Sequence, residues 1–595
     1  MNASFLRETM TKCLYSLGLS ILHIAVQALA DNKPIFIRNA ANLGAPKEFP
    51  WDDIVGSPFL DWHECYDSNK FQCARLILPL DWKNESNPNN ISLALIRLPA
   101  KVPYKDPSHG GTIITNPGGP GGSGVCWVLE NAEKLQYQLD GPKHYEILSF
   151  DPRGVFNSRP NAYCFKSAVE SEIWYDQKEA VGRTDSGNYA LKYNWAAEMA
   201  RGELCATTEN GKYPNGDNIR QYVSTASVAR DMLEITRLLE LEKARDKKDI
   251  PYEASTQQPL QRDISTYPGK LQYFGTSYGT FLGQTFASMF PQHVGRMVLD
   301  ANVDPDNWVS RYEAGIDDHN KIRKYFFERC FDVKGECPFR RDGDASAADV
   351  EERFNLLLDS LDEFPQYATG LGRAMPITRT VVEMGFLTAT YQPLFFFKPY
   401  ARFLNDLLLN VNPGIPFWDR PVPTEDTFTD KMLQQKYQGE EVGPAVHCSD
   451  GPLLSGEPLS AFEGYVSNLT ARFGSIAAGL QADYKIPCWT WPRSLRTKWR
   501  YPGPFGGDVQ ILFVNNRLDP VTSIKNAVKM SSRFNGSVLL EQNSAGHGAL
   551  WPPSECMWSH VRNYINTGQM PPKGTICEPL CIPFNGMCEG VDTGD

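Results

Sequence analysis

The sequence predicts an α/β fold: a mostly parallel central sheet with helices on both faces, interrupted by an inserted, mainly helical cap. Three observations predict it. Short apolar runs that stop at Asn, Asp or Gly recur at 111–115, 145–150, 271–274 and 296–299, and two more apolar runs lie at 509–514 and 537–540. Continuous apolar runs of this length fit strands buried on both faces. Amphipathic stretches separate them. In 225–239, Val228, Met232, Ile235 and Leu239 fall on one helical face, and Thr225 or Ser227 can cap the start. Strands alternating with helices build right-handed β-α-β units. The alternation then lapses from about 302 to 508, where helical segments mix with Pro-rich loops (PVPTEDTF, GPLLSGEPLS).

From the N-terminus, residues 1–30 read as a cleaved signal peptide. Arg7 and Lys12 flank the apolar stretch CLYSLGLSILHIAVQALA, and Ala28-Leu29-Ala30 offers a small-x-small cleavage site. A single membrane anchor is the competing reading; His23 and Gln27 within the run count against it. The mature protein is then expected outside the cell. Residues 31–301 form the N-terminal part of the core, opening with strands at 71–80 and 91–98. The cap is expected over 302–480, and the C-terminal part of the core with a Cys-rich tail over 481–595. Residues 243–268 read as a polar surface loop.

The 595 residues are 42% hydrophobic and 22% charged, an ordinary globular composition. The net charge of −11 argues against nucleic acid as a partner, because phosphate binding needs clustered Lys and Arg. Fourteen cysteines suit an oxidising compartment, and those after residue 30 are odd in number, so at least one thiol is left free or pairs with another chain. Short loops suggest Cys65 with Cys73 and Cys330 with Cys337. Cys164 with Cys205 and Cys448 with Cys488 are longer candidates. Cys556, Cys577, Cys581 and Cys588 crowd the tail, where a zinc site at Cys577 and Cys581 is the rival reading. Asn84, Asn90, Asn468 and Asn535 begin glycosylation triplets.

Gly275-Thr276-Ser277-Tyr278-Gly279 carries the chemistry. A strand precedes it and an amphipathic helix follows, the setting of a nucleophile elbow. The turn puts the Ser277 hydroxyl above the sheet and the Tyr278 N–H at a helix start, where negative charge is favoured. The loop Asn116-Pro117-Gly118-Gly119-Pro120-Gly121-Gly122-Ser123-Gly124 lacks the residues of a P-loop or dinucleotide site. It reads as the other half of an oxyanion hole, with Gly119 as donor. A serine needs a base. His547 lies between two glycines after the last strand, and Asp519 ends the strand before it; Asp300 and Asp304 are the competing acids.

These stretches resemble the tripeptidyl-aminopeptidase-like α/β-hydrolases, serine exopeptidases related to prolyl aminopeptidases. The resemblance runs through PLDW (79–82), NPGGPGGSG (116–124), DPRGV (151–155), GTSYGTFLG (275–283) and RMVLDANVDP (296–305), and on through HCSD (447–450), NRLDPVT (516–522) and AGHG (545–548). It implies an α/β-hydrolase fold, a triad of Ser277, Asp519 and His547, oxyanion donors Gly119 and Tyr278, and a Cys448–Cys488 pair. The expected activity is release of residues or short peptides from free N-termini, with no cofactor or metal. A carboxylesterase, or a lactone or thioester hydrolase, with the same triad is the alternative. Carboxylates in the cap or near Asp450 are expected to hold the substrate ammonium.

Overall fold

The computed structural model describes residues 49–66, 70–246, 269–310, 316–370, 373–413 and 441–584. The signal segment at 1–30, most of the 243–268 loop and Cys588 lie outside them.

Ten strands form one sheet: β1 (His63–Cys65), β2 (Phe71–Pro79), β3 (Asn90–Leu98), β4 (His109–Asn116), β5 (His144–Asp151), β6 (Leu271–Thr276), β7 (Val294–Asp300), β10 (Leu512–Leu518), β11 (Val538–Ala545) and β12 (Ile576–Cys577). Their spatial order is β1-β2-β3-β5-β4-β6-β7-β10-β11-β12. The first three strands pair antiparallel, β3 meets β5 antiparallel, and every pair from β5 to β12 is parallel. Alternate residues enter opposite cores, as the pleat requires: Ile114, Leu148 and Phe513 on one face, Ile113, Ile147 and Val514 on the other. Helices α4 (Thr225–Asp246) and α5 (Tyr278–Met289) cover the first face. Helices α1 (Gly124–Leu139) and α14 (Glu555–Thr567) cover the second.

The long α4 starts at Thr225, as its periodicity predicts, but neither expected cap acts as one. Ser224 Oγ accepts the Ser227 amide (3.4 Å), while Thr225 gives its own amide and hydroxyl to Asp450 (2.8 and 2.7 Å). The 509–514 run enters the sheet only at Leu512 and continues to Leu518, which brings the next residue, Asp519, to the strand's end.

Two buried acids bind the motifs together. Arg153 donates to Asp231 of α4 (2.5 and 2.7 Å) and to the carbonyls of Pro79 and Leu80, and the Trp82 indole donates to the same Asp231 (2.8 Å). Asp151 accepts the Ser123 hydroxyl (2.6 Å) and the amides of Val125 and Asn157.

Between β7 and β10 lie α6 (Pro305–Trp308), α7 (His319–Asp332), α8 (Ala347–Glu363), the antiparallel pair β8 (Gln366–Gly370) and β9 (Arg373–Ile377), α9 (Arg379–Tyr391), α10 (Pro393–Leu408), α11 (Val442–Asp450), α12 (Leu459–Phe473) and α13 (Ser475–Thr490). The expected boundary at 480 falls inside α13. An earlier segment also joins the cap. Helices α2 (Ala168–Val181) and α3 (Asn188–Thr207), between β5 and α4, send Leu191 and Trp195 against Phe462 and Trp489. Arg183 pairs there with Glu383 of α9 (3.2 Å).

Disulfides join Cys65 to Cys73, Cys164 to Cys205, Cys330 to Cys337, Cys448 to Cys488 and Cys556 to Cys577. Cys581 is also disulfide-bonded, so neither Cys577 nor Cys581 is a thiolate for zinc. The buried Cys126 is the free cysteine of the described residues. Asn84, Asn90, Asn468 and Asn535 are all exposed.

Candidate active site

β6 runs directly into α5, and Ser277 is the joint. Its φ of 57° and ψ of −125° are a strained backbone for a residue with a side chain. The turn is held by the Ser277 amide donating to Asp300 O (3.0 Å) and the Thr280 amide donating to Ser277 O (2.8 Å). A Cβ on Gly279 would lie 2.4 Å from Asn116 O, so a side chain there would drive α5 away from β4.

The glycine-rich loop is fixed at both ends. Asn116 Oδ1 accepts the Gly118 amide (3.0 Å), and Ser123 caps α1 by accepting the Cys126 amide (3.1 Å). Gly118, at φ 101°, approaches the elbow so closely that a Cβ would sit 2.8 Å from Ser277 Cβ. The amides of Gly119 and Tyr278 donate to no carbonyl among the described residues. Gly119 lines both cavities that meet at Ser277.

Asp519 is fully buried and accepts the amides of Val521 (3.0 Å) and Thr522 (2.7 Å). His547 follows β11; its Nδ1 lies 3.0 and 3.1 Å from the two Asp519 oxygens and 3.2 Å from the Thr522 hydroxyl. The Asn516 amide clamps the loop by donating to Gly546 O (2.8 Å) and Gly548 O (2.9 Å), and the His547 amide donates to Tyr391 O of the cap (2.8 Å). Burial opposes charge on the imidazole, but the attraction and hydrogen bond of Asp519 outweigh it, so the His547 pKa is raised.

The competing acids have other partners. Asp300 accepts the amides of Ala549 (2.8 Å) and Leu550 (3.3 Å), which props the turn after His547; burial raises its pKa to about 6. Asp304 pairs with Lys529 (2.6 Å). Asp450, expected near an ammonium site, is buried and spends both oxygens on Thr225 and the Trp308 indole (3.1 Å). Thr225 also meets the Tyr278 hydroxyl (2.6 Å), so Asp450 steadies the residue after Ser277.

Ser277 opens onto a cavity of about 370 Å³, lined from the core by Gly119, Thr276 and His547 and from the cap by Tyr391, His447, Asp483 and Tyr484. A second cavity of about 160 Å³ shares Gly119, Ser277, Tyr391, His447 and Tyr484 and adds Tyr278, Thr522 and Lys485. Asp483 Oδ1 accepts the amide and hydroxyl of Thr184. Its Oδ2 has no hydrogen-bond donor among the described residues.

Residues 475–577, which include Asp519 and His547, match the family model of TAP-like proteins. The tripeptidyl aminopeptidase of Streptomyces lividans is 25% identical over 530 residues, covering 88% of this chain and 87% of its own. The serine protease Hip1 of Mycobacterium tuberculosis is 24% identical over 555 residues, covering 88% and 91%. Carboxylesterase B of Mycobacterium tuberculosis is 25% identical over 598 residues, covering 97% and 100%.

The chain is a serine hydrolase of α/β-hydrolase fold, similar to the tripeptidyl aminopeptidases.

In this serine hydrolase several site residues escape a reading of the sequence. Asn516 and Thr522 stand in the NRLDPVT stretch, where a polar pair at a strand end was the available signal. Tyr391, Asp483 and Lys485 come from the cap, and no local pattern ties them to Ser277. No helix of the described residues is long and apolar enough to cross a membrane.

Proposed function

We propose that the hydrolase is an aminopeptidase that releases short peptides or residues from free N-termini through an acyl-enzyme on Ser277. The observation that carries the reading is an elbow serine and a carboxylate-held imidazole lining one cavity whose cap side holds Asp483. Ser277 attacks the scissile carbonyl while His547 takes its proton and then delivers it to the leaving amine. Asp519 holds the imidazole with Nδ1 protonated and stabilises the imidazolium. The amides of Gly119 and Tyr278 receive the developing oxyanion. Water admitted to the cavity then hydrolyses the ester. Asp483 Oδ2 is the carboxylate oxygen available for the substrate ammonium.

Disulfides and exposed Asn-x-Ser/Thr sites support work outside the reducing cytosol, after removal of the segment at 1–30. Turnover of free-amine peptide anilides against simple acyl esters tests the substrate class. Efficient ester cleavage with no anilide cleavage would make the enzyme a carboxylesterase, the reading favoured by the relative that aligns over 97% of the chain.

A further inference from the structure

Lys485 is a buried cation to which the described residues supply no counter-ion. It stands on α13 two positions after Asp483, 4% exposed, and lines the 160 Å³ cavity beside Ser277. Its ammonium lies 3.5 Å from the carbonyl oxygens of Trp308 and Ser310, beyond the range of strong hydrogen bonds. Asp304 and Asp450 are committed elsewhere. Asp304, in the same cavity lining, is paired with Lys529 and accepts the Asp306 amide (3.0 Å), and Asp450 is bonded to Thr225 and Trp308. His447 beside it is held neutral by burial and by the Lys485 charge, so it brings no compensation. Burial lowers the Lys485 ammonium to about 8, which leaves it protonated at neutral pH. A desolvated cation without a partner is unfavourable, and an anion that arrives with a ligand offsets that cost.

We propose that this smaller cavity is a carboxylate-binding subsite in which Lys485 selects substrates carrying an anionic group next to the bond that is cut. The proposal rests on Ser277 being the nucleophile. The cavity has room for one side chain rather than a peptide. The carboxylate has two sources: an acidic side chain flanking the scissile bond, or the free C-terminus of a single leaving residue. The Asn307 and Gln481 side chains in the lining add amide donors of the kind a carboxylate accepts from. The larger cavity, with Asp483, is left for the ammonium end of the substrate.

The test compares kcat/KM within matched pairs of free-amine peptides. Glutamate is set against glutamine on either side of the scissile bond, and a leaving residue ending in carboxylate against the same residue amidated. In at least one pair the wild-type enzyme should favour the acid by about tenfold or more, the size of one charge-assisted hydrogen bond. Lys485→Met should bring that ratio to within about twofold of unity. Lys485→Gln, which can still donate to the two carbonyls, replaces it where the Met variant does not fold. A ratio within one enzyme does not depend on the fraction that is folded, so a merely structural lysine would leave it unmoved. Preference in the side-chain pairs assigns an acidic residue to the subsite, and preference in the terminal pair assigns a short leaving group. Ratios near unity in every wild-type pair overturn the proposal. So does a preference that survives both Lys485 variants, or one that vanishes in Lys134→Met, which alters a lysine lining the larger cavity. If no free-amine peptide is cut, the aminopeptidase reading fails by itself. Nitrophenyl half-esters of glutarate and of its monoamide then decide the subsite by the same ratio.

Discussion

The sheet's rim and the cap wall face each other across Ser277, and they treat polar groups in opposite ways. On the rim the groups that hold His547 and its loop are committed. Asp519 holds two amides and an imidazole, Asp300 holds two amides, and the Asn516 side chain spans the carbonyls on both sides of His547. On the wall Asp483 keeps one oxygen without a donor, and Lys485 has only two long carbonyl contacts. Preorganised groups cost no rearrangement when charge develops, which suits the bond-breaking step. Half-satisfied groups are completed by a ligand, which suits selection. Changes on the rim should therefore alter rate on all substrates, and changes on the wall should alter the ratio between them.

The largest break is expected at the elbow. Ser277→Ala should lower turnover by roughly 10⁵-fold or more on peptides and esters alike and abolish labelling by a fluorophosphonate probe. The group lost is a hydroxyl, so expression yield and thermal stability should stay near wild type. Labelling of the Ala variant at full strength would mean that another serine is the nucleophile.

The two rim acids come next. Asp519→Asn should cost about 10³- to 10⁴-fold in kcat, because an amide at that position favours the wrong imidazole tautomer. Asp300→Asn should instead show itself mainly as a lower Tm, since it removes an acceptor from two buried amides. The reverse pattern, a dead Asp300 variant and an active Asp519 variant, would exchange the two assignments.

The rim was legible in the sequence because each of its parts is local. The LQYF strand, the glycine elbow and the helix after it are contiguous, and Asp519 and His547 each follow a strand directly. The wall was not. Leu191 and Trp195 lie more than a hundred residues ahead of the insertion they pack on, and helical periodicity says that a face is buried without saying against what. The expected boundary at 480 lies within α13, and no change of composition marks where that helix begins or ends. The neighbourhood of Asp450 was expected to hold the ammonium site, yet its helix carries Asp450 into a buried network that ends on Tyr278.

A wall change should discriminate between substrates. Acetylating the substrate amine removes the charge that Asp483 would hold, and acetylated peptides should be cut about 100-fold more slowly than free ones. Asp483→Asn should raise KM for free-amine peptides about tenfold, spare acetylated peptides and esters, and so narrow the gap. Equal rates on free and blocked peptides with the wild-type enzyme would remove the ammonium site from the wall.

The smallest expected effect is a shift in a pH profile, and it separates rim from wall without any change in substrate. His547 must be neutral to accept the Ser277 proton. Its folded pKa is raised above the ordinary imidazole value by Asp519, so the protonated, inactive form persists to higher pH than it would for a free histidine. The acid limb of kcat/KM, measured on a neutral ester with no amine of its own to titrate, should therefore lie above about pH 6.5. Below it, activity should fall tenfold per pH unit, as for a single essential base. Asp519→Asn removes the attraction and leaves the burial that opposes charge, so the limb of its residual activity should move to lower pH. Asp483→Asn alters no group bonded to the imidazole and should leave the limb where it is. A limb that moved with Asp483 and stayed fixed with Asp519 would place the titrating base on the wall and undo the division between the two regions.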